Sequence, residues 1–201
     1  MENVLPILVA DAPDALTELC GVNLLERLLR ILQRLGFHRA IVFSSTSGTI
    51  GAELSKPSWA REQITSQVVA TGKPLTAHQI LQQDEAARFL IVPANVYCDP
   101  RLLTALLARR SPTVLIDSDP PRFVEDLVRN QSGPALVTRD FLVACSDTAP
   151  LAEELTRKIA SGEIDVIDAA NVDDYVVNMR RHVRPLCFPA SGEHAHRIRD
   201  R

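Results

Sequence analysis

The chain has 201 residues, of which 46% are apolar and 23% are charged, and its formal net charge at pH 7 is −3. This composition is typical of a folded globular domain and excludes a disordered, collagenous or disulfide-framework chain. The acidic balance and the 4% aromatic content argue against a nucleic-acid partner. Four scattered cysteines without a Cys-x-x-Cys pair indicate thiols in the reducing cytoplasm rather than a zinc site.

The first half of the chain contains its most clearly predicted helix. Asn23 is a candidate N-cap, the following residues carry a broad leucine-rich stripe, and Gly36 is a candidate helix end. Around this helix the sequence predicts strands at 4–9 and 39–43, an irregular stretch at 11–20, a hydroxyl-rich turn at 44–49 and a helix at 57–70.

The second half continues the alternation of strands and helices. The sequence predicts strands at 89–92, 113–116, 135–138 and 164–167, and helices at 99–110, 148–159 and 171–181. Such alternation is typical of a three-layer α/β fold, in which helices cover both faces of a mainly parallel, mixed sheet. Sheets of this kind bind ligands beyond the carboxyl ends of their strands, so the turns after the strands are the places to search.

Carboxylates follow two of the predicted strands. Asp117 and Asp119 come after the strand at 113–116, and Asp168 comes after the strand at 164–167. Carboxylate oxygens projected into one crevice are suitable ligands for Mg²⁺. The alternative is a structural role, since Asp is also common in turns and at helix caps. Both interpretations stay open from the residues alone.

Three further features have an ordinary structural interpretation beside a functional one. The hydroxyl-rich turn at 44–49 can cradle a phosphate, although turns of this kind are common. Cys98 is either a reactive thiol or a small buried apolar residue. His194 and His196 are spaced as metal ligands on an extended segment but not on a helix. No dinucleotide-binding, P-loop or nucleophile-elbow motif is present in the sequence.

Several stretches together resemble the nucleotidyltransferase family with the glycosyltransferase-A fold, in particular the inositol-phosphate cytidylyltransferase domain. The stretches that carry the resemblance are 6–10, 21–27, 94–100, 114–123 and, more weakly, 162–168 followed by Asp173 and Asp174. The resemblance implies a Rossmann-like, nucleotide-diphospho-sugar-transferase type of fold, with CTP and a polyol phosphate as ligands. It also implies a nucleotide site at Ala10, Asp11, Asn95 and Asp117, and a Mg²⁺ ligand at Asp168.

The chain departs from the family pattern where family members hold the triphosphate. Members place a glycine-rich loop ending in Arg, and then a Lys, after the first strand, whereas residues 11–19 contain no Gly, Arg or Lys. The family's Gly-Asp metal motif aligns with Pro93-Ala94, which leaves Asn95 as a neutral oxygen ligand and Asp168 as the remaining carboxylate.

Nucleotidyl transfer depends on positioning and on charge neutralisation by a metal and by basic side chains. We therefore expect a degenerate domain with little or no cytidylyltransferase activity. The alternative is a working Mg²⁺-dependent enzyme with a rearranged site, in which the missing cation is supplied by Lys56, Arg61 or Lys73. A third hypothesis is a non-catalytic dimerisation or scaffold domain, which acts as a homodimer.

The end of the sequence is basic. Residues 180–201 contain six Arg and three His against Glu193 and Asp200. In the family that the chain resembles, this domain is often fused ahead of a membrane-embedded CDP-alcohol phosphatidyltransferase. We therefore expect a cytoplasmic nucleotidyltransferase-like domain at 1–185 and a basic linker at 186–201 that leads to a membrane domain. A solvated helix face is the alternative interpretation of the basic residues.

Overall fold

A mixed β-sheet with helices on both sides forms the body of the protein. The structure is a computed structural model that describes residues 3–72, 74–120, 122, 125, 133–173, 175–176 and 181–190. Its strands are β1 (Val4–Val9), β2 (Glu18–Leu19), β3 (Val22–Asn23), β4 (Arg39–Ser44), β5 (Thr65–Ala70), β6 (Arg88–Pro93), β7 (Val96–Cys98), β8 (Thr113–Ile116), β9 (Ala135–Thr138), β10 (Asp165–Asp168), β11 (Tyr175–Val176), β12 (Arg181–His182) and β13 (Cys187–Pro189).

The helices alternate with these strands along much of the chain. The α-helices are α1 (Leu24–Arg34), α2 (Ser47–Leu54), α3 (Ala77–Leu81), α4 (Pro100–Leu107), α5 (Arg139–Val143) and α6 (Leu151–Ala160). Short 3₁₀ helices lie at Asp14–Leu16, Trp59–Arg61 and Ala169–Asn171. Within the described part of the chain, no helix has the length and apolar character needed to cross a membrane.

The central sheet has seven strands in the order β10-β8-β9-β6-β1-β4-β5. Strand β9 is antiparallel to both β6 and β8, and the other neighbouring pairs are parallel. The carboxyl ends of β1, β4, β6, β8 and β10 therefore lie at one edge of the sheet, where ligands of such folds bind. This topology confirms the expected mainly parallel, mixed α/β sheet.

Apolar residues of the two faces of the sheet pack in two separate clusters. Because side chains alternate along a strand, Leu8 and Val42 lie on one face while Ile7 and Phe43 lie on the other. Helices α1 and α4 cover the first face, and α3, α5 and α6 cover the second. The protein thus has the three layers predicted from its sequence.

Helix boundaries follow the capping residues of the sequence. The Asn23 side chain accepts a hydrogen bond from the Glu26 N–H at 2.8 Å, and the Asp99 side chain accepts one from the Arg101 N–H at 3.0 Å. Gly36 follows α1 with a φ of +86°, which a residue with a side chain rarely adopts. These contacts confirm the predicted start and end of α1 and the predicted start of α4.

Two predicted helices are wrong. The segment at 57–70 contains a 3₁₀ helix and then the edge strand β5, which pairs in parallel with β4. The segment at 171–181 contains β11, which pairs antiparallel with β12, while residues 174 and 177–180 lie outside the described part. In both segments, pairing with another strand outweighs the local helical pattern.

Residues 187–189, in the segment predicted as a linker, form a strand. Strand β13 pairs antiparallel with β7, and the Phe188 ring stacks on the Tyr97 ring with their centroids 5.2 Å apart. Phe188 is buried, so this part of the predicted linker belongs to the folded body. Residues 191–201 lie outside the described part, and a basic linker there stays a prediction.

Glu26 on α1 gives the stability of the fold a dependence on pH. Its carboxylate accepts hydrogen bonds from Ser58 Oγ at 2.5 Å, Arg61 Nε at 2.7 Å and Arg30 Nε at 2.8 Å. Burial raises the pKa of Glu26, but these hydrogen bonds outweigh burial and bring the pKa below its ordinary value of 4.5. Its contribution to stability is therefore present above pH 4.5 and is lost as the pH falls through the lowered pKa.

We expect Glu26→Gln to lower the free energy of unfolding at neutral pH by about 1–3 kcal/mol, because charge-assisted hydrogen bonds are lost. The difference from the unmodified protein should shrink as the pH falls below 4.5. Urea unfolding at a series of pH values measures this difference. Glu62→Gln, at an exposed neighbouring position, is the control and should change little. An equal loss at all pH values would contradict the electrostatic explanation.

Gly133 lies close to the backbone of β8. Its N–H donates to the Leu115 carbonyl oxygen at 3.2 Å, and a Cβ at this position would lie 2.6 Å from the same oxygen. We expect Gly133→Ala to lower the free energy of unfolding by roughly 1–3 kcal/mol, because the backbone of β8 must move. Gly72→Ala is the matched control, since a Cβ there meets no atom within 4 Å. Equal midpoints of urea unfolding for the two variants would contradict this prediction.

Candidate functional site

A cavity of about 650 Å³ lies at the carboxyl ends of the central strands. The ends of β1 and β6 contribute Val9 and Pro93 to its wall, and α6 contributes Leu151 and Leu155. Its volume is in the range of small-molecule sites, which is about 300–1,000 Å³. The cavity therefore lies where the parallel sheet predicts a ligand, and we call it the strand-end cavity.

Asp11 lines the strand-end cavity and is tied to the hydroxyl-rich turn. Its Oδ1 accepts hydrogen bonds from the Ser45 N–H at 2.6 Å and from Ser45 Oγ at 2.7 Å. The Ala12 N–H donates to Thr46 Oγ1 at 2.9 Å, and α2 begins one residue later, at Ser47. The turn predicted as a phosphate cradle thus binds the carboxylate of Asp11 and continues into a helix.

The described lining of the strand-end cavity contains no Lys, Arg or His, and Asp11 is its one ionisable side chain. Of the three cations proposed to replace the missing lysine, Lys56 binds Glu53 at 2.5 Å and Arg61 binds Glu26 at 2.7 Å. Neither Lys56 nor Arg61 lines this cavity. Lys73 lies outside the described residues.

A second group of polar side chains lies at the ends of β8 and β10. Arg184 Nη2 donates to Asp117 Oδ1 at 2.5 Å, and Arg184 Nη1 donates to Asp119 Oδ2 at 3.0 Å. The Asp117 side chain is 2% exposed and that of Arg184 is 31% exposed. Asp117 Oδ2 and Arg184 Nε are both buried, and neither makes a hydrogen bond within the described part of the structure. Burial raises the pKa of Asp117, and the opposing charge of Arg184 offsets this only in part.

Asp168 lies beside this ion pair and also accepts hydrogen bonds from the chain. Its Oδ1 accepts from the Ala170 N–H at 3.0 Å and from the Ser118 N–H at 3.2 Å, and its Oδ2 accepts from Ser118 Oγ. Burial raises the pKa of Asp168, but these hydrogen bonds and the charge of Arg184 outweigh burial and lower the pKa. Asp168 thus caps the 3₁₀ helix that follows β10, which is the structural alternative considered for this residue.

These residues do not fit the magnesium ion that the resemblance implies. Mg²⁺ requires several oxygen ligands in near-octahedral geometry. The oxygens of Asp168 accept hydrogen bonds from Ser118 and Ala170, and Asp117 is paired with Arg184. Among the described residues, no group of three or more His, Cys, Asp or Glu side chains is arranged to hold a metal ion. The positive charge beside the two strand-end carboxylates is the guanidinium of Arg184.

The remaining sequence-predicted residues, Ala10 and Asn95, are not part of the described lining of the strand-end cavity. Ala10 is fully buried, and its N–H donates to the Phe43 carbonyl oxygen at 2.9 Å. The backbone carbonyl of Asn95 accepts from the Ala190 N–H at 2.8 Å, and Asn95 is not part of the described wall of the strand-end cavity. The structure thus brings Asp117 and Asp168 together but places Asp11 in the strand-end cavity.

Cys98 is a buried thiol rather than an exposed nucleophile. Its register partner across β7 and β13 is Cys187, which is also buried. The hydrogen bond with Cys187 and burial together hold the pKa of Cys98 well above its ordinary value. Such a thiol is a poor nucleophile at neutral pH. His194 and His196 lie outside the described residues.

Sequence reasoning missed Arg184, which it counted only as one of the basic residues near the end of the chain. The local signal is an Arg between Val183 and the run Pro185–Leu186. An Arg flanked by apolar residues is suited to an ion pair that is partly buried. Its partners on the loop after β8 are 65 and 67 residues away, so no local pattern identifies them.

Solved structures of nucleotidyltransferases share this fold. No protein-family model and no curated protein matches the sequence. The inositol-1-phosphate CTP transferase from T. maritima is 12% identical, with 98% of this chain and 93% of that chain covered and a TM-score of 0.64. HddC from Yersinia pseudotuberculosis, also solved complexed with GMP-PN, is 10% identical over 98% of both chains, with a TM-score of 0.64.

A third structure is Rv0371C from Mycobacterium tuberculosis H37Rv in complex with manganese. It is 13% identical, with 83% of this chain and 86% of that chain covered and a TM-score of 0.55. At such identities the similarity shows the fold alone. The chain therefore has the nucleotidyltransferase-like, nucleotide-diphospho-sugar-transferase type of fold that its sequence resembles.

Proposed function

We propose that this chain is a nucleotidyltransferase-fold module that does not catalyse CTP-dependent nucleotidyl transfer, because Arg184 replaces the divalent cation. The observation that carries this proposal is the 2.5 Å contact between Arg184 Nη2 and Asp117, whose side chain is 2% exposed. A metal ion at these carboxylates has to displace the guanidinium. That displacement separates a largely buried ion pair, which is costly because charges are poorly solvated inside a protein.

The lining of the strand-end cavity also supports this proposal, because it is unsuited to a nucleoside triphosphate. Triphosphates are held by cations, by charge-assisted hydrogen bonds and by free backbone N–H groups. Here the described lining contains the carboxylate of Asp11, which already accepts a hydrogen bond from the Ser45 N–H. At an effective dielectric constant near 20, two like charges about 4 Å apart repel by about 4 kcal/mol. A triphosphate beside Asp11 is therefore disfavoured.

A transferase assay tests the proposal directly. The protein is incubated with CTP, a polyol phosphate such as inositol 1-phosphate, and Mg²⁺ or Mn²⁺, and pyrophosphate release is followed. We expect no release above the rate without protein. Release that is lost in both Asp168→Asn and Lys73→Ala would support the alternative, a working enzyme with a rearranged site. Release that is unchanged in both variants would point to a contaminating enzyme, so the matched variants decide how a positive signal is interpreted.

The proposal includes a cellular setting, in which the module belongs to a cytoplasmic, membrane-attached protein of phospholipid synthesis. The resemblance to domains fused with CDP-alcohol phosphatidyltransferases supports this setting, as do the six Arg between residues 180 and 201. Basic segments of this kind bind anionic lipids in a salt-dependent way. Cosedimentation with phosphatidylserine vesicles at low salt, but not with phosphatidylcholine vesicles, is the expected result. Equal cosedimentation with both would contradict this part of the proposal.

A scaffold role is the second candidate function, and a scaffold of this kind also lacks transferase activity. Its distinguishing property is a stable homodimer, which requires an interface of at least about 1,000 Å². Sedimentation equilibrium distinguishes a dimer from a monomer of 22.2 kDa. A monomer at all concentrations would eliminate the homodimer.

A further inference from the structure

We infer that the strand-end cavity binds a compact, mainly apolar small molecule that carries a single positive charge, and that Asp11 recognises this charge. The cavity has a volume of about 650 Å³, which is sufficient for one drug-sized molecule. This inference goes beyond the proposed loss of transferase activity, because it concerns what the cavity binds rather than what it no longer binds.

The wall of the strand-end cavity is mainly apolar. Leu75 and Ile91 line it together with Leu151 and Leu155 of α6, and each of these residues is buried. Burial of apolar ligand surface against such a wall stabilises the complex by about 25 cal/mol for each Å² removed from water. The apolar wall therefore favours an apolar ring system or chain over a strongly hydrated anion.

Asp11 gives the cavity its charge preference. Its Oδ1 takes the hydrogen bonds from Ser45, whereas no donor to its Oδ2 is found among the described residues. Asp11 is exposed, and it is the one ionisable side chain in the described lining. A free carboxylate oxygen beside an apolar wall is complementary to an ammonium group on an apolar molecule. The same carboxylate repels phosphate and sulfonate groups.

Three environment-sensitive fluorescent probes of similar ring size test this charge preference. Dansylcadaverine carries an ammonium group, N-phenyl-1-naphthylamine is neutral, and 1-anilinonaphthalene-8-sulfonate carries a sulfonate. We expect saturable binding of the first two probes. The cationic probe should bind at least about tenfold more tightly than the sulfonate probe, a ratio of affinities that corresponds to about 1.4 kcal/mol. Tighter binding of the sulfonate, or no saturable binding of the cation, would overturn the inference.

Two variants locate the binding in this cavity. Asp11→Asn keeps the shape of the side chain and the acceptor for Ser45, and it should reduce the preference for the cation over the sulfonate to about threefold or less. Ala152→Trp fills the cavity from an exposed position on α6. It should weaken the binding of the cationic probe and of the neutral probe by about tenfold. Glu153→Trp, at the next exposed position outside the cavity wall, is the matched control and should leave both affinities unchanged.

The outcomes of this experiment are independent of the transferase assay. Probe binding that is insensitive to both Asp11→Asn and Ala152→Trp would place the probes elsewhere and would overturn the inference. The probes carry no phosphate and need no metal, so a positive transferase assay would refute the proposed function without deciding the probe titration. Circular dichroism of each variant shows that it is folded before its affinities are compared.

Discussion

Replacing Arg184 by Met is expected to lower the free energy of unfolding by about 3 kcal/mol. The substitution leaves the carboxylate of Asp117 inside the protein without its positive partner, and the Asp117 side chain is 2% exposed. Removing one member of a buried ion pair is among the costliest single changes in a protein, because the remaining charge stays unsolvated. Urea unfolding measures the loss.

A double-mutant cycle separates this effect from a simple loss of packing. Asp117→Asn in the Arg184→Met background removes the stranded charge, so the double variant should recover most of the lost stability. Arg181→Met, at an exposed position of the same segment, is the control and should change the stability by less than about 0.5 kcal/mol. A double variant that is less stable than Arg184→Met alone would contradict the role assigned to the ion pair.

Phe43→Ala is expected to lower the free energy of unfolding by about 3–5 kcal/mol. Phe43 is fully buried on β4, in the cluster that packs between the sheet and helices α3, α5 and α6. Its removal loses the burial of a large side chain and leaves a cavity, because the neighbouring strands are held by their hydrogen bonds and relax little.

The comparison variant is Phe43→Leu, which keeps most of the buried volume and should cost about 1–2 kcal/mol. Urea unfolding with an unchanged slope in all three proteins shows that the native stability, not the compactness of the unfolded chain, has changed. A loss below about 1 kcal/mol for Phe43→Ala would show that this side chain is not part of a tightly packed core.

The architecture could be predicted because the strands of the sheet are local apolar runs. Strands 4–9, 113–116 and 135–138 were predicted with the bounds that the structure gives, and Asn23 identified the start of α1. A strand buried on both faces requires a short, nearly continuous apolar run, and such a run is visible without any knowledge of its neighbours.

The segment at 57–70 shows where local patterns are insufficient. Its second half, at 65–70, is rich in β-branched residues and forms the edge strand β5, which alternates between exposed and partly buried positions. The decisive interaction is the ladder with β4, whose partner residues lie 26 positions earlier in the chain. Pairing of this kind is a property of the folded protein, so the sequence alone favoured a helix.

The candidate site was predicted only in part for the same reason. The strand-end carboxylates Asp117 and Asp168 were identified from local sequence, and the structure places them beside each other. Arg184 reaches Asp117 from the segment between β12 and β13, 67 residues further along the chain. The resemblance to a metal-dependent family predicts a magnesium site, whereas the structure places the guanidinium of Arg184 against Asp117.

The central claim is that Arg184 takes the place of a divalent cation at the carboxylates after β8 and β10. Electron paramagnetic resonance of Mn²⁺ tests this most directly, since the signal of the free hydrated ion decreases when the ion binds. Titration of the protein with Mn²⁺ in the absence of CTP, which itself binds Mn²⁺, is expected to show no saturable binding. Saturable Mn²⁺ binding that is lost in the Asp168→Asn variant would contradict the claim and would restore a metal-dependent active site.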